Sequence, residues 1–175
     1  QWATYFPAQS PSAICTYTPT FSYRNYSQGT QNDPRLKCRI DADNYGFVIA
    51  GEVKASGMPI FNKYHRQIDS TYNGGTDAFV ARFNTKDSLV FSQYIGGTDE
   101  DGFLGLKITK PNEIALVGYS KSSEYEDLTY RSSTSQYIDT VMQSGAIKML
   151  VTKLDSTGQK KWASYYGNGS SYACL

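Results

Sequence analysis

Apolar positions come in short runs of four to seven, set off by clusters of Asn, Asp, Ser and Gly. From Ala78 to Gly97 the chain reads AFVARFNTKDSLVFSQYIGG, two apolar runs around a polar turn. From Met149 to Asn168 it reads MLVTKLDSTGQKKWASYYGN. Runs this short, rich in β-branched and aromatic residues, predict strands, and turn residues such as NTKDS and DSTGQ predict tight hairpins between them. Two further pairs of runs lie upstream. In CRIDADNYGFVIAGE, from Cys38, Phe47 and Ile49 alternate with other residues; in LKITKPNEIALVGYS, from Leu106, Ile114 and Leu116 do the same. Each again predicts strand, turn, strand.

These segments are an internal repeat. An offset of 71 takes Ala78 to Met149 and runs without a gap to Gly96 and Gly167, aligning Phe79 with Leu150, Val80 with Val151, Arg82 with Lys153, Phe83 with Leu154, Phe91 with Trp162 and Tyr94 with Tyr165. Upstream, Gly51 and Gly118 lie 67 apart and Ile40 and Ile108 lie 68 apart, so the turn is one residue shorter in the second copy. QWATYF at the start of the chain matches KWASYY at Lys161 to Tyr166. Four antiparallel strands recurring with the same turns describe a propeller blade, because a sandwich does not require one four-strand unit to recur. The expected fold is all-β: about two four-stranded antiparallel blades plus an extra strand, a segment of a larger propeller. Residues 1–6 are the closing strand of a preceding blade, 7–35 an insertion or loop, 36–97 and 98–167 the two blades, and 168–175 a lead into a next blade.

Composition narrows the function classes. Seventeen basic and sixteen acidic residues give a formal charge of +1 without a one-signed block, which argues against an electrostatic nucleic-acid binder. Fifteen Tyr and fifteen Gly favour strands and turns over helices. No apolar run reaches the ~20 residues of a membrane-spanning helix, and the absence of an initiator Met leads to the expectation of a processed or excised piece. Cys15, Cys38 and Cys174 lack the close spacing of a zinc or redox motif.

GGTDAFVARFN (Gly74 to Asn84), the strands FSQYIGG and WASYYGN, and the turn DADNYGFVIAG together resemble the SBBP repeat, a family named for seven-bladed β-propellers. The likeness covers residues 1–6 and 38–168. It implies a large secreted bacterial protein, and the WATY-type strand with Tyr-rich spacers is similar to versions from Bacteroidetes, often cargo of type IX secretion shown at the cell surface. The second hairpin departs from the pattern, with SGAIKML where GGTDAFV stands in the first, and the spacers at 54–72 and 121–143 are long. The function implied is non-enzymatic: an adhesion or protein-binding scaffold, extracellular or on the outer cell surface, whose partners are other protein chains, the remainder of a larger propeller, or surface glycans. The alternative is a carbohydrate-active module, lectin-like or a glycoside hydrolase, with the spacers forming its pocket.

Individual motifs carry less. Asp41, Asp43, Gly46, Val48 and Glu52 fall at the spacing of an EF-hand loop, but Tyr45 occupies a ligand position and the flanks are strand-like, so a β-turn opened by Asp is the expected structure. Asp99, Glu100 and Asp101 offer adjacent carboxylates, and calcium is the one cofactor this leaves open; a solvated loop is the simpler reading. His65, the sole histidine, has no nucleophile elbow to serve, so no catalytic residue is assigned. Tyr17, Phe21, Tyr23 and Tyr26 are candidates for partner binding, since aromatic side chains favour interfaces. Cys15 and Cys38 bracket the 7–35 insertion, and oxidation outside the cell would pair them. The Gly pairs at 74–75 and 96–97 are expected to turn the chain at strand ends through positive φ, with Asp77 capping the first turn.

Overall fold

Strands form where the apolar runs lie. The computed structural model describes residues 39–73, 75–109, 112–123, 141 and 146–167. Among them are β1 (Arg39–Asp43), β2 (Gly46–Val53), β3 (Phe61–Asn62), β4 (Asp77–Asn84), β5 (Leu89–Ile95), β6 (Asp101–Thr109), β7 (Glu113–Ser120), β8 (Lys148–Leu154) and β9 (Lys160–Tyr166), and no helix. All neighbours pair antiparallel, in one sheet of order β1-β2-β4-β5-β3 and a second of order β6-β7-β8-β9. Each therefore contains a four-stranded meander, as in a propeller blade. The two do not close into a ring. The extra strand at 1–6, the insertion at 7–35, the tail at 168–175, the Cys15–Cys38 pairing and the aromatic cluster at 17–26 lie outside the described residues.

The 71-residue offset holds in three dimensions down to single hydrogen bonds. Phe79 faces Tyr94 across β4 and β5, and Leu150 faces Tyr165 across β8 and β9; Arg82 faces Phe91, and Lys153 faces Trp162. The register slips at one equivalent point in each hairpin, between Arg82 and Phe83 and between Lys153 and Leu154. Even the turns agree. Asn84 Oδ1 accepts the amides of Lys86 and Ser88 (2.9 and 3.0 Å), and Asp155 Oδ1 those of Thr157 and Gln159 (2.8 and 3.0 Å). A short polar side chain that bonds the backbone two and four residues ahead sets the turn, and Asp and Asn do this equally well.

Asp87 and Gly158, equivalent in the two turns, both have positive φ, at 59° and 85°. The Gly pairs divide differently from expectation. Gly75 has φ 65°, whereas Gly96 is not in the left-handed region. Glycine serves there because a Cβ would stand 2.9 Å from Asp101 Oδ2. Asp77 does cap its turn, accepting the Asn73 amide at 2.9 Å.

The two sheets stack front to back. Successive strand residues point to opposite faces, and directly paired residues share a face. The main buried cluster takes Val48, Ala50, Ala78, Val80, Phe91 and Ile95 from the first sheet and Ile114, Leu116, Leu150, Leu154, Ala163 and Tyr165 from the second. Under the 67- and 71-residue offsets, the first set corresponds to Ala115, Val117, Met149, Val151, Trp162 and Tyr166. None of these belongs to the cluster. The second set corresponds to Phe47, Ile49, Phe79, Phe83, Ser92 and Tyr94, on the far side of the first sheet. One face, the front, of the first sheet thus meets the back of the second. A sandwich of two repeats would bury the same face of each; a heterologous contact such as this one repeats indefinitely or closes into a ring.

The back of the first sheet carries a smaller layer. Phe47 stacks on Phe83 at 4.8 Å between centroids, and the spacer after β2 returns across Tyr94, with Tyr72 edge-on to its ring at 5.9 Å. Within that spacer, Phe61 and Asn62 add an edge strand to β5 where the sequence pattern suggests only loop.

Candidate functional site

Chemistry concentrates in the seam between the sheets and at its strand ends. At one end, Arg82 on β4 is buried on the front face; its Nη2 reaches Asp43 Oδ2 at 3.0 Å and Asn112 Oδ1 at 2.7 Å, while Nη1 has no hydrogen-bond partner among the described residues. It ties the β1–β2 turn of one sheet to the β6–β7 turn of the other. Asp41 works alongside: its Oδ2 accepts the Ile108 amide at 2.7 Å and pairs with Lys107 at 3.0 Å. What burial Asp41 has works against ionisation, yet the Ile108 amide and the Lys107 ammonium outweigh it and hold the carboxyl below its ordinary range.

Glu52 accepts the Tyr119 hydroxyl at 2.8 Å, close beside Gly102. The EF-hand spacing therefore holds no shared centre: Asp41, Asp43 and Glu52 turn to three different partners. Asp43 Oδ1 also accepts the Tyr45 amide at 2.8 Å, which is the Asp-opened turn.

At the other end of the seam, β4 and β6 start side by side. Thr76 and Glu100 form a parallel bridge, and the Asp101 amide donates to Thr76 O at 2.6 Å. The next residue of each, Asp77 and Asp101, is wholly buried. Asp101 Oδ2 accepts the Gly97 amide at 2.8 Å and the Ser122 hydroxyl at 2.7 Å; one oxygen of each carboxylate, Oδ1, has no hydrogen-bond partner among the described residues. Burial raises both carboxyls. Asp77, with the single Asn73 amide opposing burial and the charges of Asp101 and Asp69 adding to it, is pushed up to about 6. Asp101 is raised despite the hydroxyls of Ser120 and Ser122 and the Gly97 amide.

Asp99, Glu100 and Asp101 are not brought to one point. Asp101 turns inward, Glu100 pairs with Lys121 at 2.6 Å, and Asp99 Oδ1 accepts the Glu100 amide at 2.9 Å. Among the described residues no group of three His, Cys, Asp or Glu side chains is placed to hold a metal. His65 is exposed in the spacer, with φ 53°. Glu113 pairs with both Lys153 and Lys161, and these two ammoniums hold its carboxyl below the ordinary range.

The equivalent tyrosines repeat a structural task. Tyr165 donates its hydroxyl to Ser122 O at 2.6 Å, and the Tyr94 hydroxyl accepts the Met58 amide at 3.1 Å, so each anchors the start of its own sheet's spacer. Arg82 and the inward Asp77–Asp101 pair carry little signal in the sequence. The one signal for Arg82 was a charged residue inside an otherwise apolar run, and an acid at the head of a strand looks the same whether it turns in or out.

Among the described residues no helix is long and apolar enough to cross a membrane. In comparisons with known proteins, no family model matches the chain, and neither does any curated sequence.

Proposed function

We propose that the chain is part of a secreted or surface-attached bacterial scaffold, an SBBP-type stack of β-blades that serves adhesion or protein binding and does no catalysis. The observation that carries this reading is the register that β2, β4 and β5 share with β7, β8 and β9, with the same turn and the same bulge in the β4–β5 and β8–β9 hairpins. A repeated register lets each unit dock on the next by one rule. Across the present seam, Arg82, Asp41 and Glu52 each bond to the second sheet. Individuality lies in the spacers after the second strand of each blade, which differ in length and sequence while the strands repeat. They are the natural place for a partner to be recognised.

A glycan array with a parallel hydrolysis assay separates this reading from a carbohydrate-active one. The scaffold reading expects no saturable glycan signal and no released sugar, together with loss of cell attachment when the spacers are replaced by short Gly-Ser turns. Saturable binding of a defined glycan, or turnover of one, contradicts it.

A further inference from the structure

The front face of the second sheet repeats the face that the first sheet uses for stacking. Ala115, Val117, Met149, Val151, Trp162 and Ser164 stand at the positions of Val48, Ala50, Ala78, Val80, Phe91 and Gln93. The earlier six are buried beneath the second sheet. All six later ones are half-buried, and no described strand packs across them. Their chemistry is that of an interface core: five of the six are apolar, and Ala78 to Met149, Ala50 to Val117 and Phe91 to Trp162 each enlarge the apolar surface. Lys153, at the place of Arg82, is engaged by Glu113 at the rim.

We infer that this face docks another four-stranded sheet of the same repeat, which lays its back face on it as the second sheet does on the first. The inference rests on the repeat architecture of the proposed scaffold and adds to it the face, the direction and the contacting residues. The occupant must bring aliphatic side chains on its second and third strands and a tyrosine on its fourth, as Ile114, Leu116, Leu150, Leu154 and Tyr165 do now. A second copy of this chain is poorly suited, because the back of its first sheet is already crossed by its own spacer: Ser92 donates its hydroxyl to Pro59 O, and Tyr72 lies on Tyr94. The turn of the incoming hairpin would place a small residue over Trp162, as Gly158 lies over Phe91 now, where a Cβ would come within 2.9 Å of the ring.

The geometry also supplies the probe. Tyr166 occupies the place of Ile95, so a chain running through Tyr166 and then continuing with a second copy of residues 96–167 reproduces the connection between the two existing sheets. With Met149→Leu in the added copy, the remaining Met149 reports on the face through its rate of oxidation by peroxide, followed by peptide mass spectrometry. In the extended protein that rate should fall about tenfold against the 175-residue chain, as a thioether leaves solvent. Val151→Asp in the original sheet should restore it, and the same substitution in the 175-residue chain should leave folding intact.

An added sheet that stays unfolded, or that folds while Met149 oxidises as before, overturns the inference. So does slow oxidation of Met149 in the 175-residue chain, whether it depends on concentration, as for a second copy, or does not, as for a segment of the same chain. No adhesion enters these readouts, so stacking and partner binding can fail independently.

Discussion

At each of six matched front-face positions the first sheet holds a buried side chain and the second a half-buried one, although the strands that carry them share register, turns and bulge. On β8 burial alternates strictly, residue by residue; on its equivalent β4 all but two positions are buried. Side-chain size does not account for this, since Trp162 presents at least as much apolar surface as Phe91, and Met149 more than Ala78. What differs is the neighbour. The first sheet is covered on its front by the second and crossed on its back by its own spacer, whereas the second is covered on its back alone among the described elements. Burial in this repeat is a property of the stack, and a strand read in isolation does not reveal it.

Truncating the matched aromatics separates the two sheets most strongly. Phe91→Ala should cost about 4 kcal/mol, because it empties a site in the main core; Trp162→Ala should cost about 1 kcal/mol in the 175-residue chain. Urea unfolding measures both. Equal losses would mean that the two faces are not in different settings. Next in size is the cation at the following matched position. Arg82→Ala leaves Asp43 and Asn112 without their partner in the seam and should cost about 3 kcal/mol. Lys153→Ala, whose partner Glu113 retains Lys161, should stay below about 1 kcal/mol.

Acid and base at one position give a third contrast, since Asp77 is replaced by Lys148 in the second sheet. Burial raises the Asp77 carboxyl from an ordinary 3.8 to about 6, so the folded chain binds that proton more tightly than the unfolded chain does. Stability from this group therefore increases as pH falls through 6 and levels off below about 4, by roughly 2 kcal/mol over the window. Asp77→Asn should remove that increment. The difference between the two unfolding curves from pH 7.5 to 4.5 isolates it from Asp41 and Glu113, whose lowered carboxyls act in the opposite sense. Parallel curves would contradict the assignment. The smallest effects belong to the matched tyrosines: Tyr94→Phe and Tyr165→Phe should each cost about 1 kcal/mol and add, as separate hydrogen bonds to separate spacers.

The strands and the 71-residue register of the β4–β5 and β8–β9 hairpins were legible in the sequence because turn chemistry and apolar spacing are local; the first hairpins differ from expectation, since Leu106 and not Ile108 stands at the place of Ile40, and the second turn is one residue longer than the first. Asn84 and Asp155 set their turns by bonding their own next residues, and no distant contact is needed. β3 was not legible, since two residues in a polar spacer carry no alternation, and what orders them is the free edge of β5. The front-to-back arrangement was hidden for a related reason. β4 and β5 are apolar on both sides, so pattern alone does not say which side meets the next sheet.

At the candidate site the sequence showed acids at Asp41, Asp43 and Asp99 to Asp101 without showing their directions. Direction came from the parallel bridge of Thr76 with Glu100 and from the reach of Arg82, both long-range. Gly96 differs from the expected left-handed turn: the position lacks a side chain to admit Asp101, and its φ is not positive.

One face of the first sheet meets the opposite face of the second. Methyl-labelled NMR reads this directly. The methyl groups of Val48, Val80, Leu116, Leu150 and Leu154 should form one connected network of NOEs spanning both sheets, with Val117 and Val151 outside it. NOEs linking Val117 or Val151 to Val48 or Val80, with Leu116 and Leu150 left out, would place matching faces together and contradict the account.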